Sequence, residues 1–189
     1  MSAVSIAPNS VEAAGAVANE FHRFMRRWAT GVAIVTSLGD SSGGNGGGGD
    51  DAGDGEGKSR VGSTAVGCTV TALASVSLDP PLLLVSLAED SRTLAAVREC
   101  GLFGVSVLPG SRIDLAERFA TFAGDRFAGV AHHYSEGVPL LDDALAVAAC
   151  TVERIISVAD HSLVLGLPGR CEGHRDLRPL IRFDSRFVR

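Results

Sequence analysis

Four short hydroxyl side chains, Thr69, Thr71, Ser75 and Ser77, recur at odd positions within GCTVTALASVSLDPPLLLVSL (67–87). In one regular strand such positions share a face. A row of small hydroxyls beside exposed backbone can grip a polar, planar ligand and a polyol chain. It equally suits a solvated strand face, and the row alone leaves both readings open. Ser91-Arg92-Thr93 supplies a second feature. Two hydroxyls and a guanidinium stand where a helix starts, and the free N–H groups of a helix start favour an anion. Ser91 would serve as well as a plain N-cap. Taken together, a hydroxyl strand and a helix start suited to phosphate describe a mononucleotide site.

Other reactive residue types offer less. His161 follows Asp160 at the start of a strand-like segment, where it could be a nicotinamide-site residue, a proton donor or a polar turn residue. His132 and His133 have no partner at metal spacing and are expected in a solvated loop, so no metal site is expected. Cys68, Cys100, Cys150 and Cys171 form no CxxC pair and show no zinc pattern. A G-x-S-x-G elbow for serine hydrolysis is absent. Phe119 and Phe187 could be core or ligand stack, and Arg186 near the C-terminus is a further candidate cofactor contact.

The elements that would hold these residues follow from periodicity. Residues 1–16 are small and aperiodic and predict a disordered tail. Val17, Phe21, Phe24, Met25 and Trp28 then form one apolar stripe, as in a helix covering a barrel. GVAIVTS (31–37) reads as a buried strand. The stretch 39–59, rich in glycine and acid, reads as a disordered loop inserted into a hairpin. Strands are expected at 60–67, 69–78, 82–87, 102–108, 145–158, 161–167 and 179–183. Helices are expected from Ser91 to Cys100, closed by Gly101, and from a Ser111 cap to about Ala120. Seven or eight strands with three helices in no regular alternation disfavour a doubly wound sheet. They fit a closed or partly closed antiparallel barrel with peripheral helices.

Composition bounds the function class. With 189 residues, 46% of them apolar, one well-buried core is expected. The net charge of −5 comes from Asp40, Asp50, Asp51, Asp54 and Glu56 around the glycine-rich stretch. Without them acidic and basic residues balance, so no basic field for nucleic acid exists. The N-terminus has no basic leader followed by an apolar run, and no span suits a membrane helix. A cytoplasmic protein is expected.

The sequence resembles the flavin reductase family, the reductase partners of two-component flavin monooxygenases. The likeness rests on FMRRWATGVAIVTS (24–37), the 67–87 run with its SVSLDPP, SRT (91–93), LAERFA (115–120), DRFAGV (125–130), PLL (139–141) and DHSLVLG (160–166), in that order. The resemblance implies a mainly β fold with peripheral helices, the FMN-binding split β-barrel, in an obligate homodimer. It implies FMN or FAD as flavin, NADH or NADPH as hydride donor, and a flavin-dependent monooxygenase as partner. Its flavin strand falls on Thr69, Val70, Thr71, Ala72, Ser75, Val76 and Ser77, and its phosphate turn on Ser91, Arg92 and Thr93. Asp160, His161 and Ser162 match the nicotinamide-pocket motif, and Arg118 and Phe119 the motif beside the flavin. The common Thr-Ala-Asn-Ser is here Thr69-Val70-Thr71-Ala72, which replaces an amide with a hydroxyl and a serine with a methyl. A flavin carrier or sensor on the same fold is the alternative.

Overall fold

The computed structural model describes residues 11–40, 63–173 and 177–188, with the side chains of 11–16 and of Asp40 outside the description. After helix α1 (Val11–Met25) come strands β1 (Thr30–Gly31), β2 (Ala33–Asp40), β3 (Ser63–Val70), β4 (Leu73–Leu78) and β5 (Pro81–Ala88). Helix α2 (Arg92–Cys100), β6 (Leu102–Val107) and helix α3 (Ile113–Thr121) follow. The chain ends with β7 (His132–Ser135), β8 (Val138–Leu141), β9 (Ala146–Val158), β10 (His161–Gly173), β11 (Ile181–Phe183) and β12 (Arg186–Val188).

Seven strands form one antiparallel sheet in the order β3-β2-β6-β9-β10-β5-β4. Consecutive strands β3 and β4 therefore lie at its opposite edges, joined only by Thr71 and Ala72. That short link requires the sheet to curl. The Ser86 N–H of β5 donates to the Ala72 carbonyl at 3.1 Å and ties the link to the β4–β5 side of the sheet. The result is a partly closed barrel, as expected.

Alternation along the strands separates two cores. On β2, Val35 points into the barrel with Val85, Phe103, Val105, Cys150 and Val164, and Leu94 and Val97 of α2 close that end. Ile34 points the other way, joining Leu115, Phe119, Phe127, Leu140 and Leu180 beneath α3. Burying Leu94 and Val97 fully stabilises the α2 packing by about 1.5–3 kcal/mol each. Gly101 ends α2 in the left-handed region, φ 70°, and its N–H donates to Val97 O, as expected of a C′ glycine.

Several expectations need correction. The helix expected from Val17 begins at Val11, because Val-Glu-Ala-Ala continues it backwards; residues 1–10 lie outside the described ones. Its apolar stripe does not cover the barrel: Val17, Phe21, Phe24 and Trp28 are each over 60% exposed. The helix ends at Met25 and its C-terminal side is tied to the barrel at Arg26, which pairs with Asp184 at 3.0 Å. Residues 39 and 40 belong to β2 rather than to the inserted loop, whose residues 41–59 lie outside the described ones. The antiparallel register of β2 and β3, Asp40 opposite Ser63, agrees with an insertion into a hairpin. Ser111 does not cap α3. Arg112 holds the N-cap position without a side-chain cap bond and pairs instead with Asp114 and Asp143. His132 and His133 stand on β7, in a hairpin with β8 turned at Glu136 and Gly137, both at positive φ. β12 was not expected; Asp184 and Ser185, also at positive φ, turn it back on β11.

Candidate functional site

The site begins where β3 runs into β4. The expected single strand 69–78 is broken: β3 ends at Val70, and Thr71 and Ala72 form the exposed link to the far edge. A bulge at Val76 follows, so that Ser75 opposes Leu83 while Ser77 opposes Leu82. Adjacent residues of β5 face opposite sides, which places Ser75 and Ser77 on opposite faces. The hydroxyl row is thus not one face. The break exposes backbone instead, and residues 71 to 76 are all exposed, Val76 by half.

Side by side with the end of β3 lies the start of α2. Ser91 Oγ accepts from the Leu94 N–H at 3.1 Å, a true N-cap, leaving Arg92 exposed. Thr93 is buried and hydrogen-bonds the Cys68 thiol, whose pKa burial pushes up. Arg126 completes the cluster. Its Nη1 donates to Gly67 O at 2.7 Å and its Nε to Phe122 O at 2.9 Å. Burial holds its pKa below the usual guanidinium range, and the like charge of Arg92 lowers it further. Among the described residues neither arginine joins an ion pair. Two guanidiniums close enough to repel each other, one of them at a helix start, favour an anion between them.

Arg126 was missed as a site residue, although DRFAGV (125–130) was noted as a landmark. Beyond that landmark, its sequence signal is one basic residue in a polar loop. Arg118 stands behind it, donating through Nη2 to Ala128 O at 2.6 Å and to Asp125 O at 3.2 Å. This shapes the loop that carries Arg126.

Other expected residues are engaged elsewhere. Thr69 Oγ1 donates to Ala116 O at 2.7 Å, tying β3 to α3. Val70 is buried in the barrel core. Phe119 is 0% exposed, in edge contact with Phe127 at 5.0 Å between centroids, and has no surface for a ligand. Arg186 is exposed on the separate sheet β1-β11-β12, and its side chain makes no hydrogen bond or ion pair among the described residues.

His161 starts β10, opposite Ala88 of β5 and Val158 of β9, with Nδ1 2.9 Å from Asp160 Oδ1. The Glu89 N–H donates to Asp160 O at 3.0 Å, joining this turn to the loop that enters α2. Ser162, next in line, is fully buried and donates to Glu89 Oε1 at 2.6 Å.

That bond, followed by the one from Arg98, holds the Glu89 carboxyl below its usual 4.5, and Arg112 does the same for Asp114 below 3.8. A carboxylate whose folded pKa is lowered contributes stability that is present above its unfolded pKa and lost as pH falls through the folded one. The melting temperature should therefore hold from pH 7 to about 5 and drop below about 4. Glu89→Gln should make that acid drop shallower in a pH series of thermal melts.

Comparison with known proteins settles the family. The flavin reductase like domain matches residues 25–189. The chain belongs to the flavin reductase-like family. It is 40% identical over 149 residues to a flavin reductase (NADPH) of Lentzea aerocolonigenes, covering 77% of this chain and 75% of the relative. It is 37% identical over 128 residues to the actinorhodin polyketide dimerase of Streptomyces coelicolor, covering 67% and 72%. Among solved structures, the styrene monooxygenase flavin reductase of Pseudomonas putida S12 superposes with TM-score 0.73 at 28% identity, over 89% of this chain and 96% of that one.

Proposed function

We propose that this protein is an NAD(P)H:flavin oxidoreductase that reduces FMN or FAD and releases the product to a flavin-dependent monooxygenase. The observation that carries the reading is the pair Arg92 and Arg126, neither in an ion pair among the described residues, beside the exposed β3–β4 link. A flavin mononucleotide fits this arrangement by its chemistry. A phosphate suits the two guanidiniums and the N–H groups of the α2 start. A ring edge with alternating donors and acceptors suits the open backbone of 71–77.

When bound, flavin supplies the hydride chemistry with a reduced nicotinamide, so the protein needs no nucleophile of its own. The cluster's arginines hold and orient the phosphate end. The backbone N–H groups near 71–77 favour negative charge on the ring edge that they face. His161, exposed and held by Asp160, orients the nicotinamide or holds a proton at its ring nitrogen. Open access along β4 suits a flavin that comes and goes.

The apolar surface supports a homodimer. Phe21 and Phe24 of α1, with Val76, Leu78, Ile156 and Val158 of the sheet, are large apolar side chains left 42 to 89% exposed, surface that a second copy would cover. The cysteines are free, which suits a reducing cytoplasm. No described helix is long and apolar enough to cross a membrane.

One experiment tests the binding and the assembly together. Sedimentation of the full chain with FMN or FAD should show twice the 19.5 kDa chain mass, with flavin co-sedimenting at about micromolar affinity. A monomer that carries no flavin at any concentration would contradict the reading.

A further inference from the structure

Beside the flavin cluster lies a second polar network that the proposed chemistry does not itself use. Its centre is the fully buried hydroxyl of Ser162. That hydroxyl donates to Glu89 Oε1 at 2.6 Å and accepts from Arg98 Nη2 at 3.0 Å. Arg98 Nη2 also reaches Glu89 Oε2 at 2.9 Å and Ser157 Oγ at 3.4 Å. Ser157 and Ser162 flank the β9–β10 turn and face each other in register. Glu89 lies in the loop before α2, two residues ahead of the Ser91 cap, and Arg98 in the last turn of α2. The network thus binds three elements at one point: the turn that carries His161, the entrance to α2, and the far end of the same helix.

The geometry has a directional consequence. Successive residues on a strand face opposite sides. Ser162 points into the protein, so an anchor on Ser162 fixes the outward direction of its neighbour His161. The backbone bond from Glu89 N–H to Asp160 O, 3.0 Å, fixes the same turn from the other side. The bonds of Ser162 and Arg98 to the Glu89 carboxylate, 2.6 and 2.9 Å, are short, as bonds to an ionised carboxylate are.

We infer that Glu89 and Ser162, bridged by Arg98, are positioning residues that set His161 against the anion-binding start of α2. The role rests on the reading of His161 as the nicotinamide-side residue. Fixing both ends to one carboxylate keeps the span between hydride donor and flavin phosphate constant as either ligand arrives.

The test uses the full chain with Ser162→Ala and, because a buried change could impair folding, also Glu89→Ala at a partly exposed site. The imidazole resonances of His161, assigned through His161→Ala, are recorded for each folded variant. In parallel, KM and kcat are measured for NADH and NADPH, and FMN binding by titration. The His161 resonances should move in both variants, and the double variant should add little to either. KM for the nicotinamide nucleotide should rise about tenfold, with kcat and FMN affinity changed far less. His161 resonances that stay in place in folded variants overturn the inference, as does a fall in melting temperature with KM unmoved. A wild-type protein that oxidises neither nucleotide refutes the functional reading instead, and the His161 resonances still decide the positioning.

Discussion

Replacing Arg126 with alanine should weaken FMN binding by about 10- to 100-fold, the effect of losing one or two hydrogen bonds to a charged group. Two of its guanidinium nitrogens are committed to Gly67 O and Phe122 O. The third, Nη2, has no partner among the described residues. Burial and Arg92 both disfavour the charge at Arg126, and an arriving phosphate relieves this strain. Riboflavin separates recognition from structure, because it has the ring but no phosphate. Its affinity should be nearly the same in Arg126→Ala and wild type. Equal losses for riboflavin and FMN would mean that Arg126 only holds the loop. Arg126→Lys keeps the charge but loses the fork, and should recover part of the affinity. Fluorescence titrations at two salt concentrations would show it, with a weaker salt dependence in the alanine variant.

Gly104→Ala should destabilise the fold by about 3 kcal/mol, the upper range for overpacking. Gly104 lies on β6 between two cores. A methyl there would meet Leu140 Cδ2 and Pro139 O, both at 2.8 Å, as well as Thr36 Oγ1. Pro139 O is backbone and accepts the Thr36 hydroxyl, so neither atom can retreat without breaking a buried hydrogen bond. For a chain of this size the melting temperature should fall by about 6–12 °C. The same change at Gly31, where an added methyl meets nothing within 4 Å, is the control and should cost little. Equal melting temperatures for the two variants would show that β6 can shift to make room.

What the sequence revealed and what it hid have physical reasons. Strongly periodic segments were legible: β9 was expected at 145–158 and runs Ala146–Val158, and α2 ends at its glycine. The Ser91 cap was legible because capping is local chemistry. The break at Thr71-Ala72 was hidden, since both residues suit a strand and only the sheet's closure demands a corner there. The Val76 bulge was hidden for the same reason, and with it the splitting of Ser75 from Ser77. Two hairpins escaped because their turns use Glu136-Gly137 and Asp184-Ser185 rather than Asn-Gly. Arg126 and Glu89 escaped because each acts with residues far away in sequence. Phe119 carried a family motif, yet its periodicity on α3 already pointed inward, and burial agrees with the periodicity.

Family membership alone does not fix the reaction, since one relative is named a polyketide dimerase and another a flavin reductase. The most direct measurement is anaerobic rapid mixing of the purified full chain and FMN or FAD with NADH or NADPH, following the visible absorbance of oxidised flavin. Flavin in excess over protein should bleach rapidly, dependent on the nicotinamide nucleotide and faster with one of the two. Flavin that stays oxidised with both nucleotides, while remaining bound to the protein, would contradict the reductase reading and leave a flavin carrier or sensor.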